Sequence, residues 1–160
     1  MDDGDKFKLL TPPNLLAAKV TTDGPNAAAM LARAERAVAE LRRDYEAWAE
    51  QELGRLERLF ERVSESPNTG TDGLRQIYQV AHDMKGQGTT FGYPLVTAIA
   101  ASLCRFTESP GLAGANKVAV IGAHIDALKS VIRNRVAGGG GELGREIVAG
   151  LRAAVSKHAR

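Results

Sequence analysis

The residues of this 160-residue chain able to do chemistry are few: three histidines, one cysteine, and carboxylates dispersed among basic residues. Of these, His82 sits in the most informative surroundings, the run Ala81-His82-Asp83-Met84-Lys85-Gly86-Gln87-Gly88. A helix turns about 100° per residue, so His82, Lys85, Gly86 and Thr89 share one strip beside the apolar stripe. An imidazole at that edge is held by neighbours while one ring nitrogen faces water, as a nucleophilic or phospho-accepting histidine requires. Lys85, one turn on, can offset the charge of a phosphoryl group. At about 4 Å such a pair is worth roughly 1 kcal/mol in water and about 4 kcal/mol at a partly desolvated surface. Gly86 costs about 1 kcal/mol of helix propensity relative to Ala, so its place in mid-helix needs a packing reason or an access reason. Access is the functional reading: a bare patch at i+4 lets a partner's active site reach the ring. Gly88 and Gly92 either extend that patch or allow close helix packing. Arg75 and Gln79 lie on the same strip, where they border a docking surface or form a solvated helix face.

Other chemistries find no support in the residue pattern. Metal and haem bundles use Glu-x-x-His pairs, whereas the residues three before His82, His124 and His158 are Gln79, Ile121 and Val155. Phosphate-cradling, dinucleotide and nucleophile-elbow motifs are missing, so ATP binding and ester hydrolysis are not expected. The run Gly138 to Gly141 lacks the Lys-Ser/Thr of a phosphate loop and reads as a linker. His124, beside Ile121, Ile125 and Leu128, reads as a flank residue, and Cys104 as a small buried hydrophobe. The basic end, with Arg152, Lys157, His158 and Arg160, reads as a favourable helix C-terminus.

The elements that must carry these residues are all helical. Residues 1 to 25 hold three of the six prolines and no sustained period, and form an arm, partly disordered or docked through Leu9, Leu10, Leu15, Leu16 and Val20. From Asn26 the apolar positions Met30, Ala34, Val38, Leu41, Tyr45, Trp48 or Ala49, Leu53, Leu56, Phe60 and Val63 recur at three and four. The register slips once near Trp48 to Leu53, so the stretch is one helix of about 38 residues or two broken near Gly54. A continuous helix approaches 60 Å at about 1.5 Å per residue, and its first half then projects from the bundle or finds another partner.

Thr71 or Asp72 can cap the next helix, whose inward stripe is Leu74, Ile77, Ala81, Met84 and Gly88. A third, after Gly92-Tyr93-Pro94, carries Val96, Ile99, Leu103 and Phe106. The fourth carries Val118, Ile121, Ile125, Leu128, Ile132 and Val136. A last helix, about Glu142 to His158, has Ile147, Leu151 and Val155 on one side. Short loops between amphipathic helices make antiparallel neighbours, so the expected fold is all-α: an antiparallel up-down four-helix bundle with its core at about 50 to 136, within a helical domain spanning 26 to 158. The beginning of the extended first helix and the additional C-terminal helix are expected to pack on each other, extending one end of the bundle or forming a dimer contact.

Apolar residues at 44% and charged residues at 25%, with a net charge of +2, describe one globular domain without a nucleic-acid footprint. One cysteine excludes an internal disulfide framework. With no membrane-length apolar run and an acidic opening segment, the chain is expected in the cytoplasm, binding neither membrane nor nucleic acid.

The segment Ala81-His82-Asp83-Met84-Lys85-Gly86, followed by Gly88 and by Phe91-Gly92 before the next helix, resembles the signature of histidine-containing phosphotransfer (HPt) domains of bacterial phosphorelays. The helix pattern extends the resemblance over about residues 50 to 136. It implies a helical bundle whose exposed histidine takes a phosphoryl group from a kinase or receiver domain and passes it to a receiver aspartate. By that resemblance His82 is the phospho-acceptor, through Nε2, Lys85 its electrostatic neighbour and Gly86 the clearance for the partner; Arg75, Gln79, Gln87 and Thr89 mark a docking face. No cofactor of its own is implied, since the receiver supplies the aspartate and Mg²⁺. Partners would be receiver domains, a sensor histidine kinase, or a second copy through the long first helix. Many members carry Leu-Glu on the following helix where this chain has Leu103-Cys104, which leaves Gln87 or Thr97 as candidates to orient the imidazole. The rival reading is a non-catalytic helical adaptor or dimerisation module.

Overall fold

A computed structural model describes residues 25–65, 71–109 and 115–158. They form five α-helices: α1 (Pro25–Glu65), α2 (Thr71–Gly88), α3 (Pro94–Glu108), α4 (Ala115–Arg133) and α5 (Gly141–His158). Among the described residues there is no strand. The arm expected at 1 to 25 lies outside them, apart from Pro25, which opens α1 where its missing N–H leaves nothing unsatisfied. No described helix is long and apolar enough to cross a membrane.

The chain divides into two units, Met1–Val38 and Ala39–Arg160. The described part of the first is the opening of α1, on which Met30, Leu31 and Val38 are exposed. The second holds the core. There α1 runs without a break through Gly54, which decides between the two readings of its register: the helix is continuous over 41 residues. Gly54 costs some helix stability, but Tyr45, Ala49, Leu53, Leu56, Leu59 and Val63 bury one face across it, and burial at roughly 1.5–3 kcal/mol per large side chain outweighs the loss.

Contacts along the helices set their directions. Going along α1 from Glu57 to Phe60, the α4 neighbours go from Lys129 (2.7 Å from Glu57) to Gly122, so α1 and α4 are antiparallel. On α2 and α3, Thr97 meets Lys85 while Cys104 meets Tyr78, again antiparallel. Ser102 and Thr107 of α3 meet His124 and Lys117 of α4 in the same sense. These four helices close an up-down bundle around fully buried Leu53, Ile77, Met84, Ile99, Leu103, Ile121 and Leu128. The inward stripes read from periodicity on α2, α3, α4 and α5 and on α1 from Tyr45 onward are those found, whereas Met30, Ala34, Val38 and Leu41 of the stripe read on α1 are exposed; the core reaches back to Tyr45 rather than starting near residue 50.

Three local expectations need correction. Asp72 lies inside the first turn of α2, because the helix starts at Thr71, and its carboxylate accepts from the Arg75 (2.7 Å) and Gln76 (2.6 Å) side chains instead of capping. Val136 falls beyond α4, in the turn that follows, where its N–H donates to the Val131 carbonyl at 2.9 Å. The apolar side of α5, assigned from sequence to the start of α1, is occupied by α3 and α4: Leu151 is buried there and Ile147, Val148 and Val155 pack on the core. The glycine run before α5, read from sequence as a linker, does connect two helices and is built as a corner. Gly138, Gly140 and Gly141 take positive φ values of 66°, 66° and 56°, and the Gly138 N–H donates to the Gly92 carbonyl at 2.8 Å.

Candidate functional site

The His82 strip is placed by the way α2 ends and α3 begins. Gly92 at φ 86° lets the Tyr93 N–H donate to the Gly88 carbonyl (2.7 Å) and the Gly92 N–H to that of Thr89 (3.1 Å), a Schellman closure, and Pro94 then starts α3. At the same point the two helices approach closely. A Cβ on Gly88 would come within 2.6 Å of Thr97 Oγ1 and 2.8 Å of the Tyr93 carbonyl oxygen. Thr97 Oγ1 accepts from the Thr89 N–H (2.9 Å) and hydroxyl (3.0 Å) and donates to the Lys85 carbonyl (3.2 Å). The backbone beneath the strip is therefore tied to α3 one turn below His82.

His82 itself is exposed, its side chain retaining 49% of its accessible surface. Two groups flank the ring. Tyr78, one turn earlier, stacks on it with centroids 5.9 Å apart and an interplanar angle of 30°. Asp83 Oδ1 lies 3.8 Å from Nδ1, beyond hydrogen-bond length but close enough to favour a proton on that nitrogen. Nε2 is left on the far side of the ring. Asp83 is in turn approached by the Gln79 amide at 3.4 Å. The α2–α3 side is more enclosed. Lys85 is half-buried there, and Cys104, whose Sγ lies 3.9 Å from the Tyr78 carbonyl, has its thiol pushed up by burial, with the nearby Lys85 charge offsetting part of the effect. The Glu108 carboxylate holds the Tyr78 phenol above its ordinary range.

Gly86 behaves differently from its neighbour Gly88. A Cβ there would meet nothing within 4 Å, so no contact among the described residues requires glycine. Gly150, midway along α5, is open in the same way.

The structure brings His82, Gly86, Gln79 and Asp83 onto one open face of α2, with Arg75 further along, exposed and paired to Asp72. Gln87 and Thr89 are exposed near the helix end. Neither residue proposed to orient the imidazole does so. Thr97 is committed to Thr89 and Lys85, and the Gln87 side chain has no hydrogen-bond partner among the described residues. Tyr78, which stacks on the ring, and Asp83, 3.8 Å from Nδ1, flank it instead. Sequence reasoning gave neither a role, although the i, i+4 spacing of Tyr78 and His82 was the available signal.

His124 is the opposite case and corrects a second expectation. It is not at a flank but fully buried, with Nδ1 2.8 Å from the Val120 carbonyl and Nε2 2.9 Å from Ser102 Oγ. Burial holds its pKa below the ordinary 6.5. Among the described residues no group of three or more His, Cys, Asp or Glu is arranged to hold a metal ion. Neither family models, curated proteins nor solved structures give a match to this chain, so the argument for the site rests on its own geometry.

Proposed function

We propose that this protein is a histidine phosphotransfer intermediate of a cytoplasmic phosphorelay, with His82 the phospho-acceptor. The observation that carries the reading is Gly86: a mid-helix glycine, one turn from an exposed histidine, whose missing side chain serves no internal contact. Beside an exposed histidine, that open space is room for a partner's active site to approach the ring.

The chemistry needs a neutral imidazole and a partner that brings the rest. The Nε2 lone pair of His82 attacks the phosphorus of an aspartyl phosphate in a receiver domain, or of a phosphohistidine in a kinase. As the N–P bond forms, the bond from phosphorus to the donor breaks and its electron pair leaves with the donor carboxylate or imidazole. Nδ1 keeps its proton, favoured by Asp83, and the reverse step hands the phosphoryl group to a second receiver. Lys85 lowers the cost of the added negative charge. Mg²⁺ belongs to the receiver, and no ATP site is needed on this chain.

The test uses a small-molecule phosphoramidate donor, so that the natural partner need not be known. Intact-mass spectrometry of wild type is expected to show one acid-labile phosphate, and His82→Gln none, with unchanged helicity. A well-folded wild type that takes up no phosphate, or a His82→Gln variant that still does, would sink the reading.

A specific observation favours a second reading, the non-catalytic adaptor or dimerisation module. Met30, Leu31, Val38 and Leu41 of α1 are each more than half exposed, an unusual run of large apolar side chains on one helix. On that reading Leu41→Glu alters oligomeric state in sedimentation, while His82→Gln changes neither assembly nor partner binding.

A further inference from the structure

We propose that the groove between α3 and α5 is a binding site for a small organic anion bearing an apolar group, gripped by Arg105 and Arg152. Two adjoining cavities of about 270 and 350 Å³ run along it, and Ser102, Arg105 and Arg152 line both. None of their lining residues belongs to α2, so the site is separate from the His82 strip.

The charge on the groove has one sign. Neither cavity is lined by a carboxylate, and among the described residues neither guanidinium has an ion-pair partner. Two uncompensated arginines facing one cleft from two helices suit a planar or tetrahedral oxyanion, which each can bind through a pair of parallel N–H donors. The floor is apolar, built from Ile99, Phe106, Val148, Leu151 and Val155, and favours a hydrocarbon group on the same ligand. Inorganic phosphate would leave that floor uncovered.

The buried His124 adds a specific polar element. The Val120 carbonyl can only accept, so Nδ1 carries the imidazole proton, and Nε2 must then accept the hydroxyl proton of Ser102. Depression of the His124 pKa by burial and by the nearby Arg105 charge keeps that neutral tautomer. Ser102 therefore presents only lone pairs to the groove. It receives a proton donor, such as the hydroxyl of a phosphate monoester monoanion or of a hydroxy acid, beside the charge that the arginines hold.

The test titrates phenyl phosphate into the full chain and follows side-chain NMR signals, with inorganic phosphate as the headgroup-only arm. Saturable shifts are expected at the Arg105 and Arg152 Nε–H and at His124 Nε2 in wild type and equally in His82→Gln. Inorganic phosphate should bind at least about tenfold more weakly, a difference of 1.4 kcal/mol. Arg105→Gln/Arg152→Gln should remove the saturable response. Both arginines are exposed, so this variant is expected to fold; the His124 signal in wild type reads the site without any substitution. Shifts spread evenly over surface arginines, equal binding of the two ligands, undiminished binding in the double variant, or loss in His82→Gln would each overturn the proposal.

Discussion

Two histidines on different helices of one bundle meet opposite fates. His82 on α2 keeps half its surface, has one ring nitrogen near Asp83 and the other unengaged, and stands beside a glycine with open space around it. His124 on α4 has no accessible surface and both ring nitrogens engaged, by Val120 and Ser102. The difference is the angle each residue takes around its helix relative to the core, and it separates a ring left open to solvent from one that holds a serine in place. The two glycines near His82 repeat the contrast: Gly88 is demanded by Thr97 and Tyr93, Gly86 by nothing within the protein.

Exchanging each histidine in turn gives the largest effects. His82→Gln is expected to eliminate acid-labile phosphate and leave the thermal midpoint nearly unchanged. His124→Ala is expected to do the reverse. It opens a cavity and strands the Ser102 hydroxyl and Val120 carbonyl, costing about 3 kcal/mol in denaturant unfolding while His82 still accepts phosphate. If His82→Gln unfolds the protein, or His124→Ala leaves stability intact, the contrast collapses.

The glycines sharpen it. Gly88→Ala forces a Cβ against the Tyr93 carbonyl and is expected to destabilise by about 1–3 kcal/mol. Gly86→Ala should instead gain about 1 kcal/mol, because only helix propensity changes. It should also slow phosphoryl exchange with a receiver domain while leaving uptake from a small phosphoramidate as in wild type, a split that stopped-flow and mass measurements would reveal. Equal slowing with both donors would mean that Gly86 shapes the ring's surroundings rather than the docking surface.

Lys85→Ala is expected to reduce the transfer rate several-fold with folding preserved. A drop in thermal midpoint instead would make Lys85 a tie between α2 and α3. The smallest effect concerns acid. With the His124 pKa lowered in the fold, the unfolded chain binds a proton that the folded chain refuses once pH drops below 6.5. Stability should therefore fall as pH is lowered from 6.5 towards the folded-state pKa and then level off, and this component should be absent in His124→Gln. Thermal melts of the two proteins between pH 7 and 5, compared for that difference, provide the check.

Much of this was legible from residue order. Three-four periodicity set the inward faces of α2, α3 and α4, because a helix that buries one side must repeat apolar residues at its own pitch. The same arithmetic put His82 and Gly86 on a strip outside the core. What residue order could not supply was anything depending on a second helix. Whether Gly86 answers to packing, and that His124 reaches Ser102, 22 positions earlier in the chain, are contacts across space. His124 looked peripheral because its neighbours Ile121, Ile125 and Leu128 already made a stripe; only the seating of α3 against α4 turned its side inward. Similarly the continuity of α1 through Gly54 was open in the sequence, since a glycine weakens a helix but burial on either side of it can outweigh that.

The sequence by itself determined the helical class, the faces that meet the core, and the placing of His82 and Gly86 on a strip outside it, all of them properties of short-range spacing. Tertiary structure decided where α5 lies, which histidine is sealed and which glycine is free, because those follow from how helices distant in sequence approach one another.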